Sequence, residues 1–86
     1  MYEVIVHRRA VRYIQTLPAN EKERIKNSLA QLALNPLSFP SLKSMSGQWS
    51  GYHRIRLGDK RIIFWLDQQN KTVYVDHVGS RGDVYK

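Results

Sequence analysis

Apolar and polar residues alternate or recur along the chain in a way that predicts one strand, two helices and three more strands. Residues 2–7 form a β-branched run bounded by charge, which is typical of a strand. In residues 8–17, Val11, Ile14 and Leu17 recur at every third position, which predicts a short helix with a narrow apolar stripe. We expect that stripe to face the core.

A second helix should follow directly. Pro18 blocks continuation of the first helix and suits the first turn of a new one, with Asn20 as an alternative N-cap. The helix should end at Asn35-Pro36, because the residue before a proline disfavours the helical conformation. Its apolar face repeats at i, i+4 and i+7: Ile25, Leu29 and Leu32.

The second half of the chain reads as a connection and three strands. Residues 37–50 are rich in Ser, Pro and Gly, and long structured connections are often functional. Strands are predicted over residues 49–57, 61–66 and 72–78, and residues 79–86 form a tail over the sheet or free of it. The predicted fold is α+β in the order β-α-α-β-β-β, with a helical hairpin packed on a largely antiparallel four-stranded sheet.

Composition limits the class of protein. The 86 residues allow a single domain, residues 1–86, and a 42% hydrophobic fraction argues against disorder. The chain contains no cysteine and no apolar run near the length of a membrane span, so we expect a soluble, cytoplasmic protein with no membrane association. The net charge of +7 indicates a polyanionic partner, with nucleic acid ahead of an acidic membrane surface or protein.

Much of this charge should lie on one sheet face. Period-2 alternation projects Tyr52, Arg54 and Arg56 away from Ile55 and its neighbours. If the apolar set packs under the helices, the open face presents an aromatic ring and a row of guanidinium groups. Two more arginines are placed to join the row, one at the next strand and one after the last: Arg61 and Arg81. Such a cluster suits a phosphate, although a merely solvated face remains the alternative.

Other residues are candidates for RNA contact. Four aromatic residues offer a ring that could stack on a base: Trp49, Tyr52, Trp65 and Tyr85. Trp49 and Tyr85 are the better candidates because their loop and tail neighbours leave them freer, whereas Trp65 lies in an apolar strand and reads as core. Lys43 adds positive charge in the same half of the chain. Three arginines of the first helix either contact a phosphate backbone or are simply solvated: Arg8, Arg9 and Arg12.

Several kinds of active site are disfavoured. His7, His53 and His77 lie far apart in sequence with no metal-ligand spacing, so we expect neither a metal nor a cofactor. No glycine-rich phosphate loop or paired carboxylates are present. Catalysis, if any, would depend on charge stabilisation and positioning.

An ordered set of motifs resembles the RelE family of toxins from prokaryotic toxin–antitoxin modules. The similar segments span nearly the whole chain: Leu17-Pro18, Asn35-Pro36, residues 50–64 and residues 78–86. The resemblance implies a RelE-like fold and a cytoplasmic mRNA endoribonuclease that acts in the ribosomal A site. It further implies a cognate antitoxin as partner, with operator DNA contacted only indirectly through that antitoxin.

The resemblance also implies roles for individual residues. Attack of the ribose 2′-OH on its own 3′-phosphate would leave a cyclic phosphate, with Arg61 and Arg81 holding the phosphate and Tyr85 stacking on a base. Two positions that are lysines in some relatives are Arg54 and Arg56 here. Because an arginine does not release its proton, we assign both to charge stabilisation.

The group that transfers the proton is left open. Many relatives have Gly-His-Arg-Arg-Asp in the terminal motif, and this chain has Ser80 at the histidine position. His77 substitutes only if its side chain faces the site; otherwise it is a strand histidine held in place. Two alternatives to the nuclease are therefore kept: a ParE-like toxin that inhibits DNA gyrase, and a catalytically weak toxin that acts within an antitoxin–operator complex.

Overall fold

The computed structural model describes residues 1–80, which form two α-helices against one face of a five-stranded sheet. A short 3₁₀ helix, Gly47–Trp49, lies in the connection before the third strand. The elements follow one another as β1 (Glu3–Val6), α1 (Arg8–Gln15), α2 (Ala19–Leu34), β2 (Lys43–Ser44), β3 (Tyr52–Leu57), β4 (Lys60–Asp67) and β5 (Thr72–Ser80). Within these residues, neither helix is both long enough and apolar enough to cross a membrane.

The strands are arranged in the order β1-β5-β4-β3-β2. Among the strands of residues 1–80, the β1–β5 pair is parallel and the other three pairs are antiparallel. The predicted α+β class and the helical hairpin on a largely antiparallel sheet are confirmed. The sheet has five strands instead of four because part of the predicted connection folds back along β3, where Lys43 pairs with Arg54 and Ser44 with His53.

The core lies between the sheet and the helices. Neighbouring strands contribute residues that are paired across the sheet, such as Ile55 with Ile62 and Phe64 with Val75. All four of these side chains are buried, and they contact buried residues of both helices. Burial of this face holds both α-helices in one layer. Within residues 1–80 no α-helix packs on the opposite face of the sheet, which we call the open face.

Helix α1 packs differently from the prediction. Val11 is 38% exposed, whereas Ala10 is fully buried and Tyr13, Ile14 and Leu17 pack against the core. The reason is the helical period of 3.6 residues, which places positions i, i+3, i+4 and i+7 on one face instead of every third residue. The helix begins after His7, whose Nδ1 accepts a hydrogen bond from the backbone N–H of Arg9 at 3.1 Å.

Helix α2 agrees closely with its sequence pattern. Pro18 occupies the N-cap position and Asn20 lies inside the helix. Ile25 and Leu32 are buried, and Leu29 packs partly against the core. The helix ends before Asn35, whose backbone N–H donates to the carbonyl of Gln31 at 2.9 Å.

The strand limits shift at two places. The strand predicted from Trp49 starts at Tyr52, because Trp49 belongs to the 3₁₀ helix and Gly51 turns the chain with φ +94°. The last strand extends beyond the predicted Val78 and ends at Ser80. The rest of the predicted tail, including Arg81 and Tyr85, lies outside the described residues.

The packing of α2 predicts a clear contrast between two leucines. Leu32 is 0% exposed and Leu34, in the last turn of the same helix, is 67% exposed. We expect Leu32→Ala to lower the free energy of unfolding by about 2–5 kcal/mol, because a cavity is left in the core. Leu34→Ala should change it by about 0.5 kcal/mol or less. Urea denaturation of both variants measures the difference, and equal effects would contradict the packing described.

Candidate functional site

The register of the β3–β4 hairpin brings three arginines together on the sheet face opposite α1 and α2. Arg56 pairs with Arg61, and Arg54 pairs with Ile63. Directly opposed residues in an antiparallel pair lie on the same face, so Arg54, Arg56 and Arg61 share it. We call these three residues the arginine face.

The three guanidinium groups differ in their access to solvent. Arg56 is exposed, Arg54 is half-buried and Arg61 is only 7% exposed. Arg56 and Arg61 line a cleft of about 280 Å³ together with Gly58 and Asp59. Partial burial strengthens the attraction between a guanidinium fork and an anion, so this cleft is suited to a phosphate group.

A second cleft continues the arginine face toward the edge of the sheet. Its volume is about 300 Å³, and Lys43, Arg54 and Trp49 are among the residues that line it. Trp49 also makes an edge-to-face contact with Tyr52, with ring centroids 5.2 Å apart. The structure thus places Lys43, Trp49 and Tyr52, three of the predicted RNA-binding residues, beside the arginine face.

Lys60 adjoins Arg61 in sequence but belongs to the other side of the sheet. Its Nζ lies 3.1 Å from a carboxylate oxygen of Glu21 in α2 and 3.3 Å from one of Asp59. The hydrogen bond to Glu21 is the main reason that the pKa of Lys60 is raised above its usual value. Its charge is therefore compensated by the helix layer and does not add to the arginine face.

A β-bulge in β5 decides which way His77 points. Ile63 pairs with His77 but Phe64 pairs with Val75, so Asp76 is an extra residue in β5. Counting by twos from the buried Val75 would put His77 on the helix side. The bulge reverses this, and His77 lies on the same face as Ile63 and the arginine face. The signal for this reversal in the sequence is the spacing of the buried valines, which changes from two residues between Val73 and Val75 to three between Val75 and Val78.

The ring of His77 is held against Trp49, with centroids 6.3 Å apart and planes at 74°. Within residues 1–80, His77 Nδ1 and Trp49 Nε1 are both buried and neither forms a hydrogen bond. A buried polar group without a partner is costly and calls for an explanation, of which a role in catalysis is one. His53 Nδ1, on the helix side of the sheet, is in the same state.

The other two histidines have structural positions. His53 lies on the helix side, where its ring stacks on Phe64 at 5.5 Å, and His7 caps α1. Of the three histidines, His77 is therefore the one that lies across the sheet from Ile63 and Arg54, whereas His7 lies beside Ile5 at the β1 end of the sheet. No three His, Asp or Glu side chains in residues 1–80 converge as a metal site would require.

The arginines of α1 are not brought to this site. Arg8, Arg9 and Arg12 are exposed on a helix that packs on the opposite face of the sheet, where the Tyr13 hydroxyl lies 2.9 Å from Ser80 Oγ. Their predicted contact with RNA would require a second surface. Arg81 and Tyr85 lie outside the described residues, so their predicted roles remain predictions.

The prediction that Trp65 belongs to the core is wrong. It pairs with Tyr52 and with Tyr74 on the open face, and it is 41% exposed. Its ring stacks on Tyr74 with centroids 5.2 Å apart and planes at 27°. Trp65 directly follows the buried Phe64 in β4, so period-2 alternation would have indicated that its side chain lies on the opposite face of the sheet. The continuous apolar run concealed it.

Solved structures share this fold. The RelE–RelB complex from the archaeon Pyrococcus horikoshii OT3 includes a chain with 25% identity and a TM-score of 0.83, with 95% of this chain and 97% of that chain covered. A chain of the RelBE2 complex from Mycobacterium tuberculosis has 25% identity and a TM-score of 0.67, with 93% of this chain and 98% of that chain covered. YafQ from E. coli is similar at 15% identity, a TM-score of 0.78 and complete coverage of both chains.

The fold thus defines the class: a small toxin domain of the kind found in toxin–antitoxin pairs. Residues 4–85 match the family described as ParE toxin of type II toxin-antitoxin system, parDE. The chain belongs to this ParE/RelE family of type II toxins. No curated protein sequence matches it significantly.

The arginine face predicts a specific stabilisation by anions. Inorganic phosphate that binds the folded state raises Tm by mass action. We expect this rise to be largely lost in the double variant Arg54→Gln, Arg56→Gln. The matched control is Lys22→Gln, Lys26→Gln, which also lowers the net charge from +7 to +5 but alters exposed residues of α2. An equal loss of the Tm rise in both double variants would show that the effect of phosphate depends only on the net charge of the protein.

Proposed function

We propose that this toxin is an endoribonuclease that cuts mRNA in the ribosomal A site. The observation that supports it is the alignment of Arg54, Arg56 and Arg61 on one open sheet face, beside an aromatic surface. Guanidinium groups match phosphate oxygens in geometry and charge, and aromatic rings stack on unpaired bases. Single-stranded RNA presents both features together.

The proposed reaction is an internal transfer of the phosphoryl group. The ribose 2′-oxygen attacks the adjacent phosphorus, a 2′-O–P bond forms and the bond from phosphorus to the 5′-oxygen breaks. The products are a 2′,3′-cyclic phosphate and a free 5′-OH. Arg61 and Arg81 hold the phosphate, Arg54 and Arg56 stabilise the charge that develops on its oxygens, and Tyr85 stacks on a base.

The reaction also requires a proton to leave the 2′-OH and another to reach the 5′-oxygen. The three arginines of the arginine face stay protonated and cannot perform this transfer. His77 pairs with Ile63, which pairs with Arg54 on the same face of the sheet. His53 lies on the helix side, and His7 Nδ1 is engaged by the backbone N–H of Arg9 at the start of α1. We assign one of the two proton transfers to His77, which compensates for Ser80 at the position of the usual family histidine.

A cognate antitoxin is the proposed protein partner. The similar chains from P. horikoshii and M. tuberculosis were solved as RelE–RelB and RelBE2 toxin–antitoxin complexes. An acidic or amphipathic antitoxin would match the net charge of +7 and silence the nuclease. Operator DNA would be contacted through the antitoxin, and the exposed arginines of α1 are available to contact ribosomal RNA.

One observation favours a second candidate function. The family that matches residues 4–85 is described as ParE, and a ParE-like toxin would inhibit DNA gyrase. Such a toxin has no need of aligned arginines around a phosphate. Induction of a DNA-damage response without new mRNA ends would favour gyrase inhibition over mRNA cleavage.

Controlled expression tests the nuclease directly. We expect growth and translation to stop, with new mRNA 5′ ends inside translated codons. Arg61→Ala should lower the frequency of these cuts about 10²-fold or more, because a charge that stabilises the transition state is lost. Lys26→Ala, which removes an exposed charge from α2, should cut normally. Unchanged cutting by Arg61→Ala would contradict the site.

The role of His77 has a separate test. His77→Gln keeps a polar side chain of similar size but cannot exchange a proton near neutral pH, so cleavage on isolated ribosomes should slow about 10²-fold or more. His53→Gln changes a histidine on the helix side, and its rate should follow wild type once the folded fraction is matched. If His77→Gln cleaves at the wild-type rate, another group transfers the proton.

A further inference from the structure

Beside the arginine face lies a second, uncharged feature of the open sheet face. Tyr52, Trp65 and Tyr74 are neighbours across β3, β4 and β5, and Ile5 of β1 pairs with Tyr74. Trp65 is 41% exposed, Tyr74 36% and Ile5 44%. We call Tyr52, Trp65 and Tyr74 the aromatic row. Large apolar side chains that stay exposed together commonly mark a binding surface.

The Trp65–Tyr74 pair has the shape of a stacking platform. The two rings lie nearly parallel, with planes at 27° and centroids 5.2 Å apart. Both are fixed by central strands of the sheet, so little freedom remains to be lost when a flat ligand stacks on them. Sheets that bind RNA use exposed aromatic residues of adjacent strands in this way.

The aromatic row and the arginine face are adjacent. Tyr52 precedes Arg54 by two residues in β3, which corresponds to about 7 Å along the strand. In β4, Arg61 and Trp65 lie on the same face, two residues to either side of Ile63, which is fully buried. A single-stranded chain with its phosphate on the arginine face therefore has a neighbouring nucleotide within reach of the aromatic row.

A cleft of about 280 Å³ opens at the aromatic row. Its lining is largely apolar, but His7 and Asp76 also line it. A carboxylate accepts hydrogen bonds from the amino and imino groups at base edges. Asp76 is the extra residue of the β5 bulge, so the same irregularity that turns His77 to the open face also supplies this carboxylate.

We propose that the Trp65–Tyr74 pair is a nucleobase subsite, which stacks on a base next to the phosphate held by the arginine face. The occupant is a base of single-stranded RNA, because the platform continues directly into a cationic surface on a chain of net charge +7. The inference rests on the proposed function in so far as RNA is the ligand of the arginine face. It assigns to RNA contact Trp65, which the apolar run had indicated as core, together with Tyr74, which the sequence pattern did not single out.

The test compares two single-stranded ribose-phosphate oligomers with the same number of phosphates. One has bases and the other is abasic, and both are bound by the full chain. Wild type should bind the base-bearing oligomer about tenfold more tightly, since stacking adds to the electrostatic attraction. Trp65→Ala, Tyr74→Ala should abolish that preference and keep the abasic affinity. Trp65→Phe, Tyr74→Phe, which retains both ring faces, should keep most of it.

Fluorescence supplies a direct readout. The chain contains two tryptophans, so Trp49→Phe leaves Trp65 as the sole reporter. A base stacked on Trp65 should quench its emission in a saturable manner, and the abasic oligomer should not. The Ala variants alter exposed side chains, and their thermal unfolding verifies that the fold is retained.

Three outcomes would overturn the subsite. In the first, the wild type shows no preference for the base-bearing oligomer. In the second, the preference survives in the Trp65→Ala, Tyr74→Ala variant. In the third, that variant is defective only in antitoxin binding, which would assign the aromatic row to a protein interface. The binding comparison is independent of the cleavage assay. A chain that prefers bases but cuts no mRNA would refute the nuclease and leave the subsite in place.

Discussion

Every feature of the candidate site depends on the pairing of β3 with β4. Ile55 and Ile62 are opposed on the helix side, and Arg56 and Arg61 are opposed on the other. Because side chains alternate with period 2, a slip of one residue in either strand would bring an arginine under the helices. Burial of an unpaired guanidinium in an apolar core costs far more than a misplaced methyl group. The hydrophobic core therefore enforces the position of the arginine face.

One irregularity of the sheet, the β-bulge in β5, determines the positions of a second group of residues. The bulge at Asp76 keeps Val75 and Val78 on the helix side while His77 turns to the open face. Trp49 then reaches this region from the 3₁₀ helix and contacts both Tyr52 and His77. Regular pairing aligns the positive charge, and the irregular segments add the imidazole and an indole. The open face combines groups suited to a phosphate with groups suited to a base.

Charge is distributed unevenly between the two layers. Lys60 is paired with Glu21, so the link between the β3–β4 turn and α2 is an ion pair on the helix side. The arginines of α1 are exposed on the helix layer and contribute to a separate basic surface. A net charge of +7 thus consists of a local arginine cluster and a more diffuse contribution, which suits a protein that would hold one phosphate while approaching a larger polyanion.

Much of the fold could be predicted from the sequence, because the relevant signals are local. The second helix followed from the spacing of Ile25 and Leu32, and the shared face of Arg54 and Arg56 followed from period-2 alternation. One feature could not be obtained in this way, because the short strand at Lys43 forms only by pairing with β3. Two others had a local signal that a competing pattern concealed. The bulge at Asp76 changes the valine spacing from two residues, Val73 to Val75, to three residues, Val75 to Val78, and the outward position of Trp65 was concealed within a continuous apolar run.

The central claim is that the arginine face, and not the basic surface of α1, holds the phosphate of single-stranded RNA. The most direct measurement is a structure of the full chain with a short RNA whose 2′-hydroxyls are methylated, so that no cyclic phosphate can form. We expect a phosphate between Arg54, Arg56 and Arg61. An RNA bound along Arg8, Arg9 and Arg12, with the open sheet face unoccupied, would contradict the claim.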